Sequence, residues 1–144
     1  MNKFVLDPTL EKDTFYIADL TVSRLLLMND ARYPWLILVP RRADKVEIID
    51  LTMSDQIELL KELNVASTLI KNVFKPDKIN IANIGNRVPA LHIHVIARYK
   101  TDGVWPAPVW GLGEALPYSS EEKEKIIKLV REALDERAFD FSPS

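Results

Sequence analysis

Two histidines stand two residues apart in Val88-Pro-Ala-Leu-His-Ile-His-Val-Ile-Ala-Arg98, and the chain of 144 residues has no others. Side chains alternate faces along a strand. Ala90, His92, His94, Ile96 and Arg98 then share one face, and Leu91, Ile93, Val95, Ala97 and Tyr99 share the other. Successive members of a face lie about 7 Å apart. The first face carries two imidazoles and a guanidinium in a row; the second reads as core. Imidazole has an unperturbed pKa of about 6.5, so its neutral, nucleophilic form is abundant at neutral pH. Attack on phosphorus would give a phospho-imidazole that water can resolve. The second imidazole could bind a phosphoryl oxygen or exchange a proton. The pair would equally serve as two ligands of a metal site, although spacing places no third ligand. It would also suit a polar strand face with no chemistry. Spacing alone leaves these three readings open.

The elements around the pair must hold it in place. The lead-in from Asn83 to Pro89 is a loop containing Gly85, Asn86 and Arg87. Backbone amides, carboxamides, imidazoles and Arg98 then meet at one end of a sheet, which suits an anion. Upstream, Phe15–Leu20, Arg24–Met28 and Pro34–Pro40 read as strands, with Asn29 and Asp30 supplying turn chemistry. Prolines 34 and 40 bracket the third strand, because proline cannot donate to a ladder. Asp7-Pro8-Thr9-Leu10-Glu11 can start a short helical turn. A long helix is expected over Asp55–Phe74, capped by Thr52 or Ser54 and ended at Lys75-Pro76. Its apolar stripe reads as Ile57, Leu60, Ala66, Ile70 and Phe74, widened by Leu59, Leu63 and Val73. Lys78–Asn83 alternates as a strand, and Leu91–Tyr99 is the histidine strand. Thr101–Pro117 is rich in Pro, Gly and Trp and reads as an irregular packed arm. A last helix follows Ser119 or Ser120 and runs from Glu121 to about Ala138. Ile126, Leu129, Val130, Ala133 and Leu134 form its stripe, and its charges read as a solvated face. Strands, helix, strands, helix imply an α+β fold with an antiparallel sheet of about five strands and two main helices.

Composition narrows the function classes. The length suits one domain spanning 1–144, with a core at about 10–112 and an arm and helix at about 113–144. A net charge of −2, without a basic block, argues against a nucleic-acid partner but not against a small phosphorylated ligand. No apolar run is long enough for a membrane span, and MNKFVLDPTLEKD has no apolar core of a secretory leader. The absence of cysteine excludes disulfides and thiolate zinc sites, and fits a cytoplasmic protein.

Asn83-Ile-Gly85, the run Val88–Arg98 and Trp105-Pro106 together resemble the histidine triad (HIT) family, whose signature is His-φ-His-φ-His-φ-φ with φ apolar. Leu27-Met-Asn-Asp30 and Pro34-Trp-Leu-Ile-Leu-Val-Pro-Arg41 resemble that family's nucleotide-side hairpin, and the likeness covers roughly residues 10–112. The resemblance implies that His92 is the nucleophile and that His94 contacts the phosphate. It places Asn83 before a phosphate loop and Asn29 at the ribose hydroxyls. Asn86 and Arg98 are added as candidate phosphate donors from the loop and the histidine face. It implies a nucleoside phosphate ligand, a homodimer, and no metal or other cofactor. The implied activity is a hydrolase or nucleotidyl transferase acting at the α-phosphate of a dinucleoside polyphosphate or phosphoramidate, through a nucleotidyl-histidine. One departure is large: Ala90 occupies the place of the first histidine. A nucleotide-binding module with little catalysis is therefore the alternative. Leu25, Leu27, Trp35 and Ile37 are candidates for a base-pocket wall or for plain core. Trp105 and Trp110 are candidates for closing the site or a subunit interface, or for packing the arm.

Overall fold

The computed structural model describes residues 3–136. The Asp7 carboxylate accepts from the Thr9 N–H and starts α1 (Pro8–Asp13), with Pro8 in the first turn, where a missing N–H costs nothing. A meander follows, of β1 (Thr14–Asp19), β2 (Ser23–Met28) and β3 (Trp35–Pro40). Then come α2 (Met53–Phe74), β4 (Lys78–Ala82), β5 (Ile93–Arg98) and α3 (Ser120–Asp135). The five strands form one sheet in the order β1-β2-β3-β5-β4, antiparallel throughout. The α+β architecture expected from the element order is the one observed. Among the described residues no helix is long and apolar enough to cross a membrane.

Alternation along the strands sorts apolar side chains into two cores. Leu25 and Leu27 of β2, Leu36 and Leu38 of β3, and Ile93, Val95 and Ala97 of β5 face the helices. Leu26, Trp35, Ile37, Val39 and Ile96 face the other way, under α1, Tyr33 and Val109. The four candidates for a base-pocket wall are therefore split: Leu25 and Leu27 are helix-side core, and only Trp35 and Ile37 share the histidine side. The paired part of the last strand begins at Ile93, two residues later than the pattern suggests. Leu91 is held instead by its N–H donating to the Lys45 carbonyl, at 2.9 Å.

The long helix begins at Met53, where the Thr52 hydroxyl accepts from the Asp55 N–H. It ends at Lys75, a left-handed residue with φ 49°, followed by proline. Its buried face keeps most of the expected stripe, with Leu63, Val73 and Phe74 packed against the core, but not all of it. Leu59, Glu62, Ala66, Leu69 and Ile70 are buried, whereas Ile57 and Leu60 are exposed. The Glu62 carboxylate accepts from the N–H groups of Val22 and Ser23, at 2.8 and 3.0 Å, and so clasps the β1–β2 turn. In α3, capped by Ser119, Val130 is buried and Ile126, Ala133 and Leu134 pack against the core as the expected stripe has it, while Leu129 is exposed and Ile127 is buried in its place. Arg131 is an exception to the solvated face, donating to the Ile17 carbonyl at 2.9 Å. The expected end at Ala138 lies outside the described residues.

Candidate functional site

His92 sits where the β5 ladder has stopped, and His94 sits one step inside it. Both are 5% exposed, and their rings meet edge to face with centroids 4.9 Å apart. The Gly85 loop brings the chain into this position. Gly85 has φ +66°, and a Cβ there would stand 3.2 Å from the Val88 carbonyl oxygen. Glycine thus meets both the left-handed backbone and the close approach.

The hydrogen bonds fix which nitrogen of each ring carries its proton. His92 Nδ1 lies 2.7 Å from the Ala90 carbonyl oxygen. A carbonyl can only accept, so Nδ1 holds the proton and Nε2 keeps its lone pair. Trp35 Nε1–H donates to His94 Nδ1 at 3.0 Å. An indole N–H can only donate, so Nδ1 of His94 is bare and neutral His94 carries its proton on Nε2. The pair presents one nucleophilic nitrogen and one N–H donor. Burial, helped by the charge of His92, pushes the His94 pKa down to about 4, so the neutral form persists at neutral pH.

Aromatic rings close around His94. Trp110 meets it edge to face at 5.2 Å and meets Trp35 at 5.9 Å. Trp110 comes from the arm, which Asn29 and Asp30 hold down. The Asn29 carboxamide oxygen accepts from the Tyr118 N–H at 2.9 Å. Asp30, 1% exposed, pairs with Arg32 and accepts from the Leu116 N–H, while Arg32 reaches the Leu112 carbonyl. Among the described residues no cluster of three His, Asp or Glu side chains is suited to a metal ion.

The other candidates are scattered by the fold. Arg98 is 1% exposed, and its guanidinium is held by protein groups. It grips both Asp102 carboxylate oxygens at 2.9 and 3.1 Å, donates to Asn80 at 2.9 Å, and lies over the rings of Tyr33 and Trp105. This bond from Arg98, with N–H groups of Tyr99 and Val104, draws the Asp102 pKa down to about 2. Arg98 thus spends three of its five N–H groups on protein acceptors, in a cluster of its own beside the histidine face. Trp105 belongs to this structural cluster and Trp110 to the histidines. Asn83 and Asn86 are exposed, and Asn83 lies at the lip of a groove between α2 and β4, beside Ile48, Gln56 and Ile81. Asn29 spends its carbonyl on the arm and keeps its amide nitrogen. Sequence reasoning missed Trp35 as the partner of His94. The tie joins residues 59 positions apart, and only the register, with Ile37 opposite His94 and Trp35 opposite Ile96, shows it.

A family model described as the HIT domain matches residues 9–101. The fold is shared with a histidine triad protein from Bradyrhizobium japonicum, 45% identical with a TM-score of 0.89, covering 92% of this chain and 98% of that one. A histidine triad protein from Marinobacter aquaeolei is 38% identical with a TM-score of 0.91, covering 95% and 100%. A curated relative, the bis(5'-adenosyl)-triphosphatase of Saccharomyces cerevisiae, is 37% identical over 73 residues, which is 47% of this chain. The matched stretch spans only 35% of that enzyme's length.

Proposed function

We propose that this chain, which belongs to the HIT domain family, is a nucleotide-binding hydrolase or nucleotidyl transferase acting at the α-phosphate of a nucleoside phosphate. The observation that carries the reading is the tautomer of His92: the Ala90 carbonyl holds the proton on Nδ1 and leaves Nε2 free to attack. The lone pair of Nε2 forms the N–P bond as the bond from phosphorus to the leaving group breaks. Water then displaces His92 and releases the nucleoside monophosphate. The Nε2–H of His94 would donate to the phosphoryl oxygen as charge grows on it. The Asn29 amide nitrogen would meet the ribose, and Asn83 and Asn86 would serve as loop donors. Residues 1–144 are taken as one such domain, a cytoplasmic homodimer joined along β4 and the exposed apolar face of α2.

Ala90 favours a second reading. If it replaces the first histidine, whatever that group supplies is lost, and the chain would bind nucleotide with little turnover. One experiment separates the two. Monophosphate release from diadenosine triphosphate is measured for the wild type and for His92→Ala, and radiolabelled nucleotide is trapped by rapid denaturation. The hydrolase reading expects turnover in the wild type only and label on His92. Full turnover in His92→Ala would sink it. Monophosphate binding without turnover would establish the binding module.

A further inference from the structure

The Trp35–His94 hydrogen bond bears on which leaving group the site can expel, a deduction that rests on the hydrolase reading above. When His92 attacks, its Nε2 becomes bonded to phosphorus and its Nδ1–H stays with the Ala90 carbonyl, so His92 has no proton for the leaving group. His94 could supply one only as an imidazolium, with protons on both nitrogens. Its Nδ1 already faces the indole N–H of Trp35 at 3.0 Å, and a proton there would set donor against donor. Trp110 packs against the same ring, and His94 is 5% exposed, so the imidazole cannot turn to water for relief without breaking that packing. Ile37 of β3 and Ala82 of β4 flank His94 in the sheet and carry no charge. The charged group that bears on His94 is His92, which opposes a second positive charge. Arg98 with Asp102, and Arg32 with Asp30, are already paired.

We propose that Trp35 makes this site selective for leaving groups that depart without a proton, which means phosphoric or other acid anhydrides and not amines or simple alcohols. In the step itself the N–P bond forms, the P–O bond breaks, and the electron pair remains on the departing oxygen. A phosphate monoester with a second pKa of about 6 carries that pair comfortably at neutral pH. An alkylamine, whose conjugate acid has a pKa of about 10, must gain a proton as it leaves. The resulting nucleotidyl-imidazolium keeps its Nδ1 proton on Ala90. Water attacks phosphorus, the N–P pair returns to Nε2, and the proton lost by water passes to solvent.

The test compares diadenosine triphosphate with an adenosine 5'-phosphoramidate of a primary alkylamine, and with adenylate aryl esters of graded leaving-group pKa. Each is run with wild type, Trp35→Phe and His92→Ala. A positioned general acid contributes about 10²–10⁴-fold, so the wild type should cleave the phosphoramidate slower than the anhydride by about that factor. Its rate should also fall steeply along the aryl series. Trp35→Phe should narrow the gap, and His94 should titrate closer to an ordinary imidazole by NMR. Phosphoramidate turnover within tenfold of the anhydride in the wild type would overturn the inference and leave the hydrolase reading standing. A folded Trp35→Phe with an unchanged ratio would overturn the assignment to Trp35. Should that variant not fold, the wild-type aryl series decides, a shallow slope being the adverse result. No turnover above the His92→Ala background on any substrate would instead fail the hydrolase reading.

Discussion

At the scale of single residues, two imidazoles separated by one apolar residue acquire different roles from one partner each. A carbonyl acceptor makes His92 a nucleophile and an indole donor makes His94 a neutral donor, with no change in side chain. Burial of His94, helped by His92, carries a cost in acid stability. His94 titrates at about 4 in the folded chain and would titrate at about 6.5 unfolded. Between these values the unfolded state binds more protons, so stability declines as pH falls from about 6.5 to about 4 and this contribution flattens below. The shift corresponds to a loss on the order of 3 kcal/mol. Urea titrations at a series of pH values should show this slope in the wild type and a shallower one in His94→Gln; equal slopes would refute it. The histidines were legible in the sequence because strand alternation is local. The surroundings of Arg98 were not legible, for the same reason. Alternation places it on the histidine face, but its partners Asp102 and Asn80, and its depth, depend on how the arm and β4 pack against that face.

Elements were legible in kind and less so in which side chains they bury. The caps at Asp7, Thr52 and Ser119 are short polar patterns and appear where the sequence puts them. The stripe of α2 was read too wide, taking in Ile57 and Leu60, because the helix carries two sets of apolar side chains. Leu59, Ala66, Leu69 and Ile70 meet the sheet, while Ile57 and Leu60 do not. A pattern of apolar residues cannot rank two faces without the sheet beside it. Glu62 interrupts the buried face for a reason also invisible in the pattern: it satisfies two buried N–H groups of the β1–β2 turn. Leaving a buried donor unpaired costs about 1–3 kcal/mol. Glu62→Ala should therefore lose roughly 2–5 kcal/mol by urea unfolding, and Glu62→Gln, which retains one acceptor oxygen, should lose less. Glu58, one turn earlier and paired only with exposed Lys61, provides the contrast. Glu58→Ala should cost under about 1 kcal/mol. Equal effects at positions 58 and 62 would refute the clasp.

For the whole molecule, the face that α2 does not spend on its own core is continuous with the open edge of the sheet. Leu60 on the helix, Ile81 on β4 and Ile48 before the helix are between 37% and 59% exposed around one groove, and Ile57, three residues before Leu60 on the helix, is 51% exposed. Exposed apolar side chains scattered singly need no explanation, but a contiguous set beside an unpaired strand edge marks an interaction surface. A second copy of the chain is the occupant proposed above. It can align its own β4 against this one and extend the sheet, which satisfies the free backbone groups and covers both apolar sets by one two-fold operation. The histidines lie on the opposite face of the sheet, so such pairing does not cover them. Light scattering at micromolar concentration should give the mass of two chains for the wild type. Ile57→Lys with Leu60→Glu should give the mass of one, with an unchanged far-UV spectrum because neither side chain belongs to the core. A wild type that is monomeric at that concentration would refute the homodimer. A double variant that stays dimeric would move the interface away from α2, and the exposure of Ile57 and Leu60 would then need another cause.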